Sequence, residues 1–152
     1  MSRPAHLRPS LVAVVGLGGV LGTALRYGLT TAVGSHGGFP TATLVENVVG
    51  ALLLGALLET LLRRGEEGQR GRLLRLGLGT GVLGGFTTFS SLALEVTVLL
   101  GDGAWVVAGV YATASLVLGV LACVLGVSWA ERLHVRRAAR RAGDPLSAGG
   151  AP

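Results

Sequence analysis

The chain has 152 residues, is 50% hydrophobic and only 14% charged, and has a mean hydropathy of +0.64. That charged share is about half of the ~25% usual in a soluble domain, too little to cover a water-facing surface; the 26 glycines suit close helix packing in lipid better than a soluble bundle. The net charge of +5 comes from Arg alone, with no Lys. The arginines cluster beside apolar runs, so they read as orientation signals rather than as a nucleic-acid surface.

In chain order, residues 1–9 form a short basic leader with Arg3 and Arg8. The apolar run behind it is too long for a typical signal-peptide core, and further spans follow, so it is expected to be retained. About 20 apolar residues cross the hydrocarbon, which predicts span one over about 10–32, with Arg26 toward its far end. Gly18 and Gly22, with Gly19 beside them, form a small-xxx-small pair that admits another helix. GSHGGFP at 34–40 is a turn-rich connector. Span two is predicted over about 41–62 and contains Glu46 and Asn47; Thr43 lies one turn before Asn47 on the same face. A polar, Gly-rich loop occupies 63–72. Span three is predicted over about 73–100, and its glycine run from Gly77 to Gly85 predicts an interrupted helix, because a continuous one is costly there. An interruption is tolerated in a membrane only where the freed backbone groups meet protein, water or ions. A GDG connector at 101–103 leads to span four over about 103–130. The tail is Arg-rich from Glu131 and is expected to be disordered over 143–152. The layout predicts an all-α integral membrane protein with one four-helix transmembrane unit over 1–142.

Twelve of the thirteen arginines lie in the leader, the 63–75 region and the tail, and the other two connectors carry none. Four spans put those three segments on one side, which predicts a multi-pass protein of the cell membrane with both termini cytoplasmic.

Enzyme motifs are excluded one by one. Gly79, Gly81 and Gly84 fit G-x-G-x-x-G, but no strand or soluble βαβ unit can form within a span. A phosphate loop fails for want of Lys. His6, His36 and His134 are scattered, and the lone Cys123, in an apolar run, reads as a small packing residue. What remains is polar chemistry inside apolar spans: Glu46 and Asn47, then Thr87, Thr88, Ser90 and Ser91 behind the glycine run. Single hydroxyls in spans usually serve interhelical hydrogen bonds, but the cluster beside an interrupted helix reads as an ion path. Amide and hydroxyl donors suit an anion, as do aromatic ring edges. Freed carbonyls can hold a small cation.

The stretches GGVLGTALRYGL (18–29), FPTATLVENVVGALLLG (39–55) and GVLGGFTTFSSLALE (81–95) resemble the small four-span fluoride channels known as the Fluc or CrcB family. They fall in the family's order on spans one, two and three and cover about a third of the chain. The resemblance implies an antiparallel, dual-topology-type dimer with two fluoride pores and passive export of fluoride, which lowers its toxicity; it implies no enzyme. It implies a structural Na+ at the dimer centre, held by the backbone carbonyls of Gly84 and Thr87, and no organic cofactor. It places Asn47, Phe89 and the phenylalanine-pair position Leu92 in the pore, with Ser90, Ser91 and Thr43 as hydroxyl track and Arg26 near the entrance. Two residues depart from the pattern: Leu92 stands where the second phenylalanine is usual, and Glu46 where an apolar residue is usual.

The one-sided arginine ledger bears on assembly. An antiparallel homodimer requires each chain to insert both ways, whereas this bias favours one orientation and hence a heterodimer with an oppositely biased homologue. The alternative to a fluoride channel is a four-span proton-coupled multidrug or cation antiporter using Glu46, although the aromatic cage for an organic cation is thin. A non-transporting assembly subunit is a further alternative, against which the glycine-rich, polar third span argues.

Overall fold

The structure is a computed structural model that describes residues 8–34, 38–65 and 68–142. Residues 1–7 of the leader with Arg3 and His6, His36 in the first connector, and the 143–152 tail lie outside the described residues.

Helix α1 (Pro9–Val33) starts on a proline, whose missing N–H is no loss in a first turn. It closes at Gly34, whose φ of 63° is left-handed and favours glycine. Helix α2 (Thr41–Leu62) follows Pro40. The third span opens with α3 (Gln69–Leu74), widens into a π-helical segment over Arg75–Leu83 and continues with α4 (Gly84–Phe86). Thr87 and Thr88 then take extended dihedrals, after which α5 (Phe89–Gly101) ends the span and α6 (Trp105–Ala142) follows. There is no β-strand among the described residues.

Four helical stretches, Pro9–Val33, Thr41–Leu62, Gln69–Gly101 and Trp105–Ala138, are long and apolar enough to cross a membrane. The third begins earlier than the 73 expected from hydropathy, and α6 runs well past 130. Ala and Arg are strong helix formers, so the Arg-rich segment continues the helix beyond its apolar part.

The glycine run expected to interrupt the third span stays helical through Leu83. Its glycines are used for contact instead. A Cβ on Gly22 would sit 2.0 Å from the Val82 carbonyl oxygen, one on Gly18 2.5 Å from that of Gly77, and one on Gly85 2.5 Å from that of Gly19. Two backbones therefore touch where side chains ordinarily intervene, and close contact of this kind offsets the poor helix propensity of glycine. Helices α2 and α6 repeat the device: a Cβ on Gly126 would meet the Leu52 oxygen at 2.1 Å, and one on Gly55 the Cys123 oxygen at 2.4 Å. Cys123 thus serves packing through its backbone.

The burial pattern is inverted relative to a soluble bundle. The most buried apolar residues are mostly alanines, while Thr43, Glu46, Thr88 and Ser115 are buried polar groups and Leu17, Val20, Val106 and Leu116 are exposed. This is the arrangement hydrocarbon solvent selects. Arg63 at the end of α2 bridges Glu59 and, at 2.7 Å, Glu131 of α6. The bond to Glu59 raises the guanidinium pKa further above its ordinary value.

Candidate functional site

Four residues of α2, Thr43, Glu46, Asn47 and Gly50, recur at helical spacing and form one face. Between them they meet α1, α5 and the extended Thr87–Thr88 pair.

Asn47 meets the extended pair. Its Nδ2 donates to the Thr88 carbonyl at 3.0 Å, and its Oδ1 accepts from the Thr88 N–H at 2.8 Å. The amide thus pairs with a peptide unit as a neighbouring strand would, satisfying both backbone groups that lack a helical partner. Gly50, one turn on, makes room for this approach: a Cβ there would lie 2.1 Å from Thr87 Cγ2. Thr87 is turned back on α4, with both its N–H and its Oγ1 donating to the Leu83 carbonyl at 2.9 Å.

Thr88 also starts the next helix. Its Oγ1 accepts from the Ser91 N–H at 3.2 Å, an N-cap bond for α5. The same oxygen donates to Ser91 Oγ and lies within hydrogen-bond distance of Ser90 Oγ, each at 3.1 Å. Three hydroxyls thus form a connected group at the start of α5.

These bonds have a consequence for two carbonyls. In a continuous helix the Thr88 N–H would donate to Gly84 and the Ser91 N–H to Thr87. Those donors go instead to Asn47 Oδ1 and Thr88 Oγ1. The Gly84 and Thr87 carbonyls are left without their helical donors, and oxygen atoms in that condition suit a small cation.

Glu95 of α5 forms the second polar centre. Its Oε1 accepts from Thr43 Oγ1 at 2.8 Å and its Oε2 from the Tyr111 hydroxyl at 2.6 Å. Tyr111 is fully buried, and its ring stands edge-on to Phe39 with centroids 5.4 Å apart. Glu46 is buried as well and faces α1, where Thr30 Oγ1 donates to its Oε1 at 2.6 Å. Arg26, one turn before Thr30, is half-buried and within electrostatic reach of Glu46, but makes no hydrogen bond or ion pair among the described residues.

The structure therefore joins Asn47 to Thr88, and through Thr88 to Ser90 and Ser91, while Thr43 belongs to the Glu95 centre. Phe89 is 80% exposed, and Leu92 lies one turn further along α5, half-buried. Neither belongs to these hydrogen-bonded groups. Sequence reasoning missed Glu95, Tyr111, Thr30 and Gly50. Glu95 did carry a signal, as the only charged residue between Arg75 and Asp102.

Residues 13–127 match the family model described as CrcB-like protein, Camphor Resistance (CrcB). A protein of Leifsonia xyli subsp. xyli named fluoride-specific ion channel FluC 2 is 40% identical over 141 residues, covering 90% of this chain and 94% of the relative. The fluoride-specific ion channel FluC of Novosphingobium aromaticivorans is 46% identical, covering 76% of this chain and 92% of its own. That of a Thermus thermophilus strain is 49% identical, with 74% and 87% covered. None of these relatives supports the antiporter reading of Glu46. The chain belongs to the CrcB-like family, and it is a multi-pass membrane protein.

Proposed function

We propose that this member of the CrcB-like family is a fluoride-selective channel that lets fluoride leave the cytoplasm passively. The observation that carries the reading is the 40–49% identity, over most of the chain, to proteins named as fluoride-specific channels. The geometry is consistent with it. Stripping water from a small anion is very costly unless fixed donors replace that water. Asn47 Nδ2 has a second N–H beyond the one given to Thr88, and the hydroxyls of Ser90 and Ser91 reorient easily. Donors of this kind, at extended residues inside an apolar span, can receive an anion without a titrating base, and passage requires no covalent chemistry.

The freed carbonyls of Gly84 and Thr87 fit a structural Na+. The ion would supply a fixed positive charge in a low-dielectric setting, which favours an anion nearby. The exposure of Phe89, Ser90 and Gly84 suits a partner subunit across that face, and the antiparallel dimer is proposed on the same ground. Leu92 then stands where its phenylalanine would, so one edge of the anion's aromatic contact is aliphatic. The single-sided arginines favour a cell-membrane orientation with both termini cytoplasmic, and a heterodimer with an oppositely biased homologue.

Fluoride efflux from liposomes carrying the purified protein alone, read with a fluoride electrode beside a chloride control, tests this reading. Fast efflux selective for fluoride establishes the channel and refutes the obligate heterodimer. Efflux that appears only on adding an oppositely biased homologue supports the heterodimer. Silence in both arms overturns the channel reading.

A further inference from the structure

Where α2 ends and the third span begins, the chain forms an open cavity of about 390 Å³, within the ~300–1,000 Å³ of small-ligand pockets. Its lining combines the apolar Leu58, Leu61 and Leu62 from the last turns of α2 with Arg64, Arg70 and Arg75. The floor is backbone at Gly65, Gly68 and Gly71. No neighbouring atom lies within 4 Å of where a Cβ would stand on Gly65 or Gly68, so the cavity is open there.

The neighbouring Arg63 is occupied by Glu59 and Glu131 and does not line the cavity. Arg64 and Arg70 are different: neither guanidinium has a hydrogen bond or ion pair among the described residues. Between residues 59 and 75, five arginines stand against three glutamates, two of them Glu66 and Glu67 outside the described residues, so the segment is net positive. Guanidinium groups bind phosphate oxygens in a planar fork. Leucines from the end of a membrane span, sharing a cavity with two arginines whose side chains are uncommitted, are complementary to a molecule with a phosphate next to hydrocarbon.

We infer that this cavity binds the headgroup of an acidic phospholipid, with the phosphate on Arg64 and Arg70 and the first part of an acyl chain along Leu58, Leu61 and Leu62. Basic pockets at the membrane boundary select anionic lipid by charge. Free inorganic phosphate shares the polar chemistry but would leave the leucines uncovered. The site is separate from the Asn47–Thr88 region, so the proposal does not depend on which ion the protein conducts.

The test is native mass spectrometry of the delipidated protein titrated with phosphatidylglycerol or with phosphatidylcholine of the same chains. The wild type is expected to prefer phosphatidylglycerol by roughly tenfold, and the R64Q/R70Q variant to lose that preference. The R64K/R70K variant, which keeps the charge, is expected to retain most of it. Circular dichroism and the thermal midpoint verify that each variant is folded, and ion efflux from phosphatidylcholine liposomes is expected to be unchanged. Equal affinity of the wild type for the two lipids would overturn the proposal. So would an undiminished preference in folded R64Q/R70Q, or full displacement of the lipid by millimolar inorganic phosphate.

Discussion

The third span is held by two seams of opposite character. Up to Phe86 it lies against α1, backbone on backbone, through Gly18, Gly22, Gly81 and Gly85. From Thr87 it is held against α2 and α6 by side-chain hydrogen bonds at Asn47, Thr43 and Tyr111. In lipid, apolar side chains gain little by leaving one hydrocarbon setting for another, so close approach and polar contact take over the work of burial. The glycine seam achieves the first with a single long side-chain bond, from Thr23 Oγ1 to the Gly85 carbonyl at 3.5 Å. The polar seam achieves the second, through the Asn47 amide and the Thr43 and Tyr111 hydroxyls. Close backbone packing and polar contact are thus separated along one span.

The largest expected break in this comparison comes from Asn47→Leu. It strands the Thr88 N–H and carbonyl together, at ~1–3 kcal/mol for each buried group left unpaired. Thermal unfolding in detergent should show a loss of several kcal/mol, with fluoride efflux abolished; efflux at the wild-type rate would remove the amide clamp from the pathway. Gly22→Ala comes next, forcing a methyl into the Val82 carbonyl at a cost of ~1–3 kcal/mol. Gly28→Ala, where the space is open, should instead be neutral or gain up to ~1 kcal/mol from helix propensity. Equal effects of the two substitutions would refute the backbone seam.

A sharper probe joins the two regions. Gly50→Ala clashes with the Thr87 methyl, and Thr87→Ser removes that methyl while keeping the hydroxyl. The double variant should regain stability and flux relative to Gly50→Ala, with a coupling of at least ~1 kcal/mol; simple additivity would show that Gly50 matters for another reason. The smallest effect is expected from Thr43→Val, which deletes one of two donors to Glu95 for about 1 kcal/mol. Tyr111 still holds that carboxylate, so efflux should decline without vanishing.

Periodicity and charge sufficed to find the four spans, because a long apolar run has few alternatives. The ends shifted where polar residues are themselves good helix formers, as in Arg132 to Arg141 of α6. The glycine run misled for a specific reason. Propensity assigns each glycine a cost, but only the opposing helix shows that Gly18, Gly22 and Gly19 meet Gly77, Val82 and Gly85 and recover it. The extended residues fall a few positions later, at Thr87 and Thr88, where a side chain 41 residues away replaces the helical bond. Asn47 and Thr43 were legible as polar groups on one face of an apolar helix. Their partners were not: the Thr43–Glu95 bond spans 52 residues and Thr30–Glu46 spans 16, separations that no local pattern encodes.

The length of α6 has a practical consequence. Its 38 residues make a rod roughly 57 Å long, nearly twice the ~30 Å hydrocarbon thickness. Its arginine-bearing end must therefore stand in water as a stiff mast instead of folding back along the headgroups. A spin label stepped along that mast from Trp129 to Arg136 would act as a depth gauge. Its accessibility to a water-soluble relaxant added to one side of sealed vesicles would count how many chains point each way, reading subunit orientation directly, with no ion flow.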